Sequence, residues 1–303
     1  MPVSPTEEAN HKQNNNNMRL KYYLLGMTVM GMLTACSGEK KESADNGVKD
    51  STEKKVEADQ PTGDVFIYNG EHRRNNTQPD KAKVLISKTL ASINTNEFAG
   101  NTTMEEIWIG EQVQHIANGA FENCTNLKKI HLAGPLPVIN DGAFTGCTSL
   151  KELKGDVYTI GIDGFKGCTS LQSVILGEHA YWIRVGAFFG CKNLKKLILA
   201  DTMSKLEDGA FEGCTSMEEL SIPNDFKNRM FGMFSNPEKL RKVYLLTTEF
   251  YPMPKNCQPN KQCTLYVPDA FVEQFKADAE WSQFGSIEPT SKSAYYTAEG
   301  FLK

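Results

Sequence analysis

The sequence lacks a cationic excess: 33 Lys and Arg stand against 37 Asp and Glu, a formal charge of -4. Without a basic surplus nothing draws the chain to phosphate backbones, so nucleic acid is not an expected partner. It also lacks a long apolar run. The stretch from Tyr22 to Ala35 is 14 residues, short of the roughly 20 that a spanning helix needs. Catalytic signatures are missing too: there is no His-x-x-x-His, no Gly-x-Ser-x-Gly, no phosphate loop and no Cys-x-x-Cys. The histidines His115, His131 and His179 fall at unrelated places, and scattered carboxylates cannot be paired from sequence. No catalytic residue, metal site or cofactor is therefore expected, and the chain is not read as an enzyme.

What is present begins near the N-terminus. Met18-Arg19-Leu20-Lys21 leads into the apolar stretch, which closes at Leu33-Thr34-Ala35-Cys36. A charged head followed by an apolar body has the order of a signal peptide, assigned to residues 1–35 with 18–35 as its working part and Met18 as the preferred start. Leu33-Thr34-Ala35-Cys36 resembles a bacterial lipobox, which implies lipidation of Cys36. Ser37 after that cysteine and the charges close by resemble outer-membrane sorting and surface-export tags, with a periplasm-facing anchor as the alternative. Residues 36–62 are charged and poor in apolar side chains, a composition that cannot offset its ordering entropy and reads as a tether.

The strongest signal is a repeat. Phenylalanines stand at Phe98, Phe121, Phe144, Phe165, Phe188, Phe211 and Phe234, in steps of 23, 23, 21, 23, 23 and 23 residues. Six and nine residues after each Phe every side chain is apolar. Eleven after it only Gly155 breaks the column, and five before it only Arg229 does. The nine-to-eleven alternation has the period of a strand, so each repeat is expected to carry one short strand with this set facing inward. No single repeat can bury its own Phe and aliphatics, whereas stacking turns about 4.8 Å apart lays each on its equivalents. The predicted fold is a right-handed α/β repeat solenoid of about seven turns with short parallel strands. A glycine two residues before five of the Phe residues predicts a turn with positive φ. The 21-residue step shortens a turn between Gly155 and Ile160 and is expected to leave the sheet intact.

Cys124, Cys147, Cys168, Cys191 and Cys214 follow five of the Phe residues by three positions. Equivalent residues in parallel turns project side by side, so buried free thiols are expected in place of a metal or disulfide ladder. The strings Gly119-Ala120-Phe121-Glu122-Asn123-Cys124-Thr125-Asn126-Leu127 and Gly209-Ala210-Phe211-Glu212-Gly213-Cys214-Thr215-Ser216-Met217 resemble the BspA-like leucine-rich repeat of Bacteroidota surface lipoproteins, over residues 84–250. That resemblance implies a surface-anchored protein that binds extracellular or host proteins. Glycan or nutrient capture and a structural envelope protein acting by self-association are the alternatives. It supplies no binding residues.

Residues 63–83 are expected to cap the first turn as a hairpin or irregular turn, and 251–303 the last one as a strand and amphipathic helix. Within the latter, Cys257 and Cys263 could bridge in an oxidising compartment or stay reduced. On the outward side of the strands, positions eight after the Phe mostly alternate in charge and are expected to pair across strands. Ten after the Phe stand Trp108, His131, Lys154, Ile175, Ile198, Ser221 and Tyr244, a mixed row that does not compensate itself. This concave row is the candidate ligand-binding surface, with Trp108 and Tyr244 as aromatic anchors, unless the sheet or a terminal segment covers it.

Overall fold

A computed structural model describes residues 61–70, 79–226, 237–255, 257, 260–298 and 302–303. The expected signal peptide, Cys36 and the tether up to residue 60 lie outside the described residues, as do Arg229, Gly232 and Phe234.

The chain is a solenoid of parallel strands, numbered here along the sequence. One side carries β1 (Val65–Tyr68), β2 (Lys83–Ile86), β4 (Glu106–Ile109), β6 (Lys129–Leu132), β8 (Glu152–Gly155), β10 (Ser173–Leu176) and β12 (Lys196–Ile198). It continues with β14 (Glu219–Pro223), β15 (Lys242–Leu246), β16 (Thr264–Val267) and β17 (Ser286–Pro289). A second, shorter sheet holds β3 (Ser92–Ile93), β5 (His115–Ile116), β7 (Leu136–Ile139), β9 (Val157–Ile160), β11 (Trp182–Ile183) and β13 (Lys205–Leu206). The repeats that contribute to both sheets thus have two strands, not the single one expected. The column five before the Phe, Ile93 to Leu206, forms the second strand because each of these inward aliphatics is followed at once by the turn into the Phe.

Between the sheets the aromatic column is continuous. Phe98, Phe121, Phe144, Phe165, Phe188 and Phe211 are buried, and successive rings stack with centroids 5.0, 4.9, 5.0, 5.4 and 5.3 Å apart. Their spacing follows the strand separation, so the rungs bring the rings into contact without local adjustment. Gly119, Gly142, Gly186 and Gly209 have positive φ as expected. Asn96 and Asp163 occupy the same place before Phe98 and Phe165 with φ of 55° each, since short polar side chains tolerate the left-handed region.

The five column thiols are free and buried. Each donates its S–H to the carbonyl of the Phe in the preceding repeat, from Cys124 to Phe98 at 3.1 Å through Cys214 to Phe188 at 3.3 Å. Burial pushes Cys124 and Cys214 up to about 12 and the three thiols between them higher than usual as well. Cys257 and Cys263 are likewise separate buried thiols, so the bridge that the sequence suggested is not formed; burial raises both to about 12. A thiol this protonated and this enclosed is a poor nucleophile. Ellman's reagent should therefore leave all seven unmodified in native protein and titrate them on adding denaturant. Prompt reaction of a column thiol before unfolding would contradict the packing.

The long sheet does not survive the shortened turn unbroken. Its hydrogen-bonded ladder runs β1-β2-β4-β6 and then β8 to β17, a four-stranded and a seven-stranded block, while the short sheet passes the same point through β7 and β9 without interruption. The cause is local. Gly155 takes φ of 144°, a Cβ there would lie 2.9 Å from Leu132 Cδ1, and only Asp156 separates β8 from β9. The corner is held by Asp156, whose carboxylate accepts the backbone N–H of His179 at 3.0 Å and a hydrogen bond from its Nδ1.

That hydrogen bond, opposed by burial, lifts the His179 imidazole above 6.5. A pKa raised on folding gives stability that is full below 6.5 and is lost as pH rises through the folded value. The stability difference between the protein and His179→Gln should thus be greatest below pH 6.5 and shrink as pH rises above it. A difference flat in pH, measured by urea titration, would refute the pairing.

The ladder also reaches past residues 84–250 at both ends. β1 pairs in parallel with β2, which rules out a hairpin and makes Val65–Tyr68 a first rung. β16 and β17 add two rungs after β15, and the expected helix is the six-residue α1 (Val272–Ala277), which lies between them in sequence and packs against β17. The edge strand β17 is short and carries Glu288 and Pro289, features that discourage further pairing.

Candidate functional site

Strand alternation sends the residues ten after each Phe to the outer face of the long sheet, where register aligns Trp108 with His131, Lys154 with Ile175 and Ile198, and Ser221 with Tyr244. The row is longer than expected, because Ile67 and Leu85 precede Trp108 and Tyr266 and Glu288 follow Tyr244 in the same register. None of these four residues has a Phe ten positions before it, so the Phe spacing could not reveal them.

The row is not uniformly open. Trp108 is only 6% exposed, its ring stacked on His131 at 4.1 Å and nearly parallel, and His131 Nε2 lies 2.9 Å from Glu106 Oε2. With Trp108, four of the seven proposed contact residues are unavailable from outside, since Ile198, Ser221 and Tyr244 are buried too. A strap formed by the C-terminal residues covers them. Tyr296, itself fully buried, lies against Tyr244 at 5.3 Å and donates its hydroxyl to the Leu199 carbonyl at 2.8 Å. Tyr295 meets the edge of Tyr244 at 5.8 Å and accepts a hydrogen bond from Lys196 Nζ at 2.8 Å. Ile198, Tyr244, Leu246 and Tyr296 form a small core of their own on this face, with Ile175, Tyr266, Tyr295 and Leu302 packed at its border. The tandem Tyr295-Tyr296 in a polar tail was the available sequence signal, but nothing in the repeat says where a tail returns.

Beneath the strap the charged ladder pairs as expected. Glu219 accepts from Lys196 at 3.1 Å, lies 3.5 Å from Lys242 and accepts the Tyr244 hydroxyl at 2.5 Å. Burial works to raise the Glu219 pKa, yet these hydrogen bonds and the two ammonium charges outweigh it, so its carboxyl titrates below the usual range. Ser221 bridges strands by accepting the Leu199 N–H at 2.6 Å, which assigns it to the scaffold.

What remains open is the stretch between Trp108 and the strap. His131 and Ile175 are half-buried, Lys154 is exposed, and beside them stand exposed Lys129 and Glu152 and half-buried Ser173. This window spans β6, β8 and β10 and includes the break in the ladder. It offers an apolar side chain between ammonium, carboxylate, imidazole and hydroxyl groups, an arrangement suited to reversible contact with a polar macromolecular surface. Among the described residues no group of three or more His, Cys, Asp or Glu side chains could hold a metal ion, and no helix is long and apolar enough to cross a membrane.

The chain is similar to a leucine-rich repeat protein of Bacteroides ovatus, with 24% identity over 63% of this chain and 48% of the other and a TM-score of 0.42. It thus spans about half the length of that protein. It is also similar to a leucine rich cell surface protein of Faecalibacterium prausnitzii, with 19% identity over 70% and 67% of the two chains and a TM-score of 0.46. The pneumococcal vaccine antigen PcpA matches at 16% identity over 74% and 82%, with a TM-score of 0.35. No curated protein matches the sequence. The model of the BspA type leucine rich repeat region matches in six copies, over residues 79–156 and 152–258. Covering more than half of the sequence with the repeat seen in the fold, that match means that the chain belongs to the BspA-type leucine-rich-repeat family.

Proposed function

We propose that this protein is a surface-anchored lipoprotein, held through a lipid on Cys36, that binds an extracellular or host protein on the open window of its long sheet. The observation that carries the reading is the uncovered stretch of the outer row, where Lys154 is exposed and His131 and Ile175 are half-buried, between a buried Trp108 and the strap. Repeat solenoids use such faces for recognition, and the family to which the chain belongs is consistent with an interaction role. The aromatic anchors Trp108 and Tyr244, which would have served a protein or a glycan equally, are both buried, so the reading rests on the open residues between Trp108 and the strap.

Binding should be lost by altering the window alone. Lys154→Glu with Lys129→Glu is expected to weaken capture of extracellular-matrix proteins by about tenfold or more, one or two contacts of about 1–2 kcal/mol, while Tm moves little because both side chains are exposed. Pull-down with the parent and the double variant checks this; equal capture would reject the window as the site. Protease shaving of intact cells tests surface anchoring separately: release of the protein without lysis is expected, and protection until the envelope is broken would refute display.

A further inference from the structure

We infer that the face under the C-terminal strap is itself a peptide-binding surface, filled here in cis by residues after Pro289 and able to accept in trans a turned segment that presents adjacent tyrosines. The surface meets the open window at Ile175, and the inference stands without that window's proposed role.

The chemistry of the covered face is specific. Its floor is Ile198, Tyr244 and Leu246, bordered by Tyr266. Two polar groups sit at its margin: the Leu199 carbonyl, which accepts the Tyr296 phenol at 2.8 Å, and the Lys196 ammonium, which donates to the Tyr295 hydroxyl at 2.8 Å and lies 5.4 Å from the centre of that ring. One phenol therefore meets an acceptor and the next a cation, so the face distinguishes two neighbouring tyrosines by the sense of their hydrogen bonds. Glu219 supports this from below by fixing both Lys196 and Tyr244.

The strap is held differently from every rung. Each strand of the long sheet is hydrogen-bonded through its backbone to a neighbouring strand. The backbone hydrogen bonds described for the strap run within it, as from Lys303 to the Tyr295 carbonyl at 2.7 Å, or to Asp269, whose N–H reaches the Ala298 carbonyl at 2.9 Å. Its described contacts with the sheet are made by side chains. An element docked on the sheet through a few side chains opens at lower cost than the ladder beneath it, and the face it leaves is already shaped for a replacement. The partner this fits is a protein segment with paired tyrosines, turned back on itself as the strap is between Tyr296 and Leu302, because the face meets two successive phenols with an acceptor and a cation.

The test uses a labelled synthetic peptide with the sequence of residues 290–303, the full-length protein and full-length Tyr295→Ala/Tyr296→Ala. Anisotropy should report binding to the variant about tenfold tighter than to the parent, whose own strap competes, and no binding of a peptide carrying the same two alanines. Failure of a folded variant, verified by its melting transition, to bind the peptide would overturn the inference. Should the variant not fold, hydrogen exchange of the parent decides: amides of Tyr295 and Tyr296 exchanging about 100-fold faster than those of Val243 and Leu245 support a displaceable strap, and equal protection overturns it.

Discussion

Phe144→Ala should cost about 3–5 kcal/mol of folding free energy, among the largest effects open to a single substitution here. The ring is fully buried and stacked on Phe121 at 4.9 Å and Phe165 at 5.0 Å, so truncation removes its own burial and leaves both neighbours facing a void that the rungs cannot close. Because each repeat touches mainly its neighbours, the loss should also weaken coupling along the solenoid and broaden or split the denaturation curve. Phe189→Ala is the internal control: this ring is 40% exposed beside Lys166, and its removal should change stability by no more than about 0.5 kcal/mol. Guanidinium titration of the two variants compares them; similar losses would mean that the column is not the spine of the fold.

The second large effect concerns Glu219. Replacing it with Ala leaves the Tyr244 hydroxyl without its acceptor and brings the Lys196 and Lys242 ammonium groups together uncompensated, and should destabilise by about 1–3 kcal/mol. Its pH dependence is distinctive. The carboxyl titrates in the fold below its usual 4.5, so the contribution is complete above 4.5 and disappears as pH falls through the folded value. The stability difference between the protein and Glu219→Gln should be constant at neutral pH and fall away in acid. A difference that grew in acid would mean that Glu219 is buried neutral and that the network has been misread.

Much of this molecule was legible because a solenoid translates sequence spacing directly into contact. Phe98 and Phe121 stack because 23 residues make one turn, and the same arithmetic placed the Cys124 to Cys214 thiols in a column of equivalent positions that do not converge. Gly119 and Gly142 announced positive φ in the turn, while Asn96 and Asp163 fill that role elsewhere without attracting notice. The second sheet was missed because two-residue strands such as Trp182–Ile183 are too short to show a period. The interruption at Gly155 was also missed: the register is kept towards β10, but a glycine at 144° followed by a one-residue corner cannot continue the ladder to β6.

The candidate face divides along the same line. Which residues point outward was determined by the sequence alone, since strand alternation is a local property of the backbone. Which of them meet solvent was decided only in three dimensions. Tyr244 and Ile198 carry the same outward signal as Lys154, yet they are buried because Tyr296, 98 residues after Ile198, returns across the sheet. A periodic pattern encodes contacts between successive turns, whereas a tail that folds back makes contacts whose partners share no spacing. Only the packed chain brings these together.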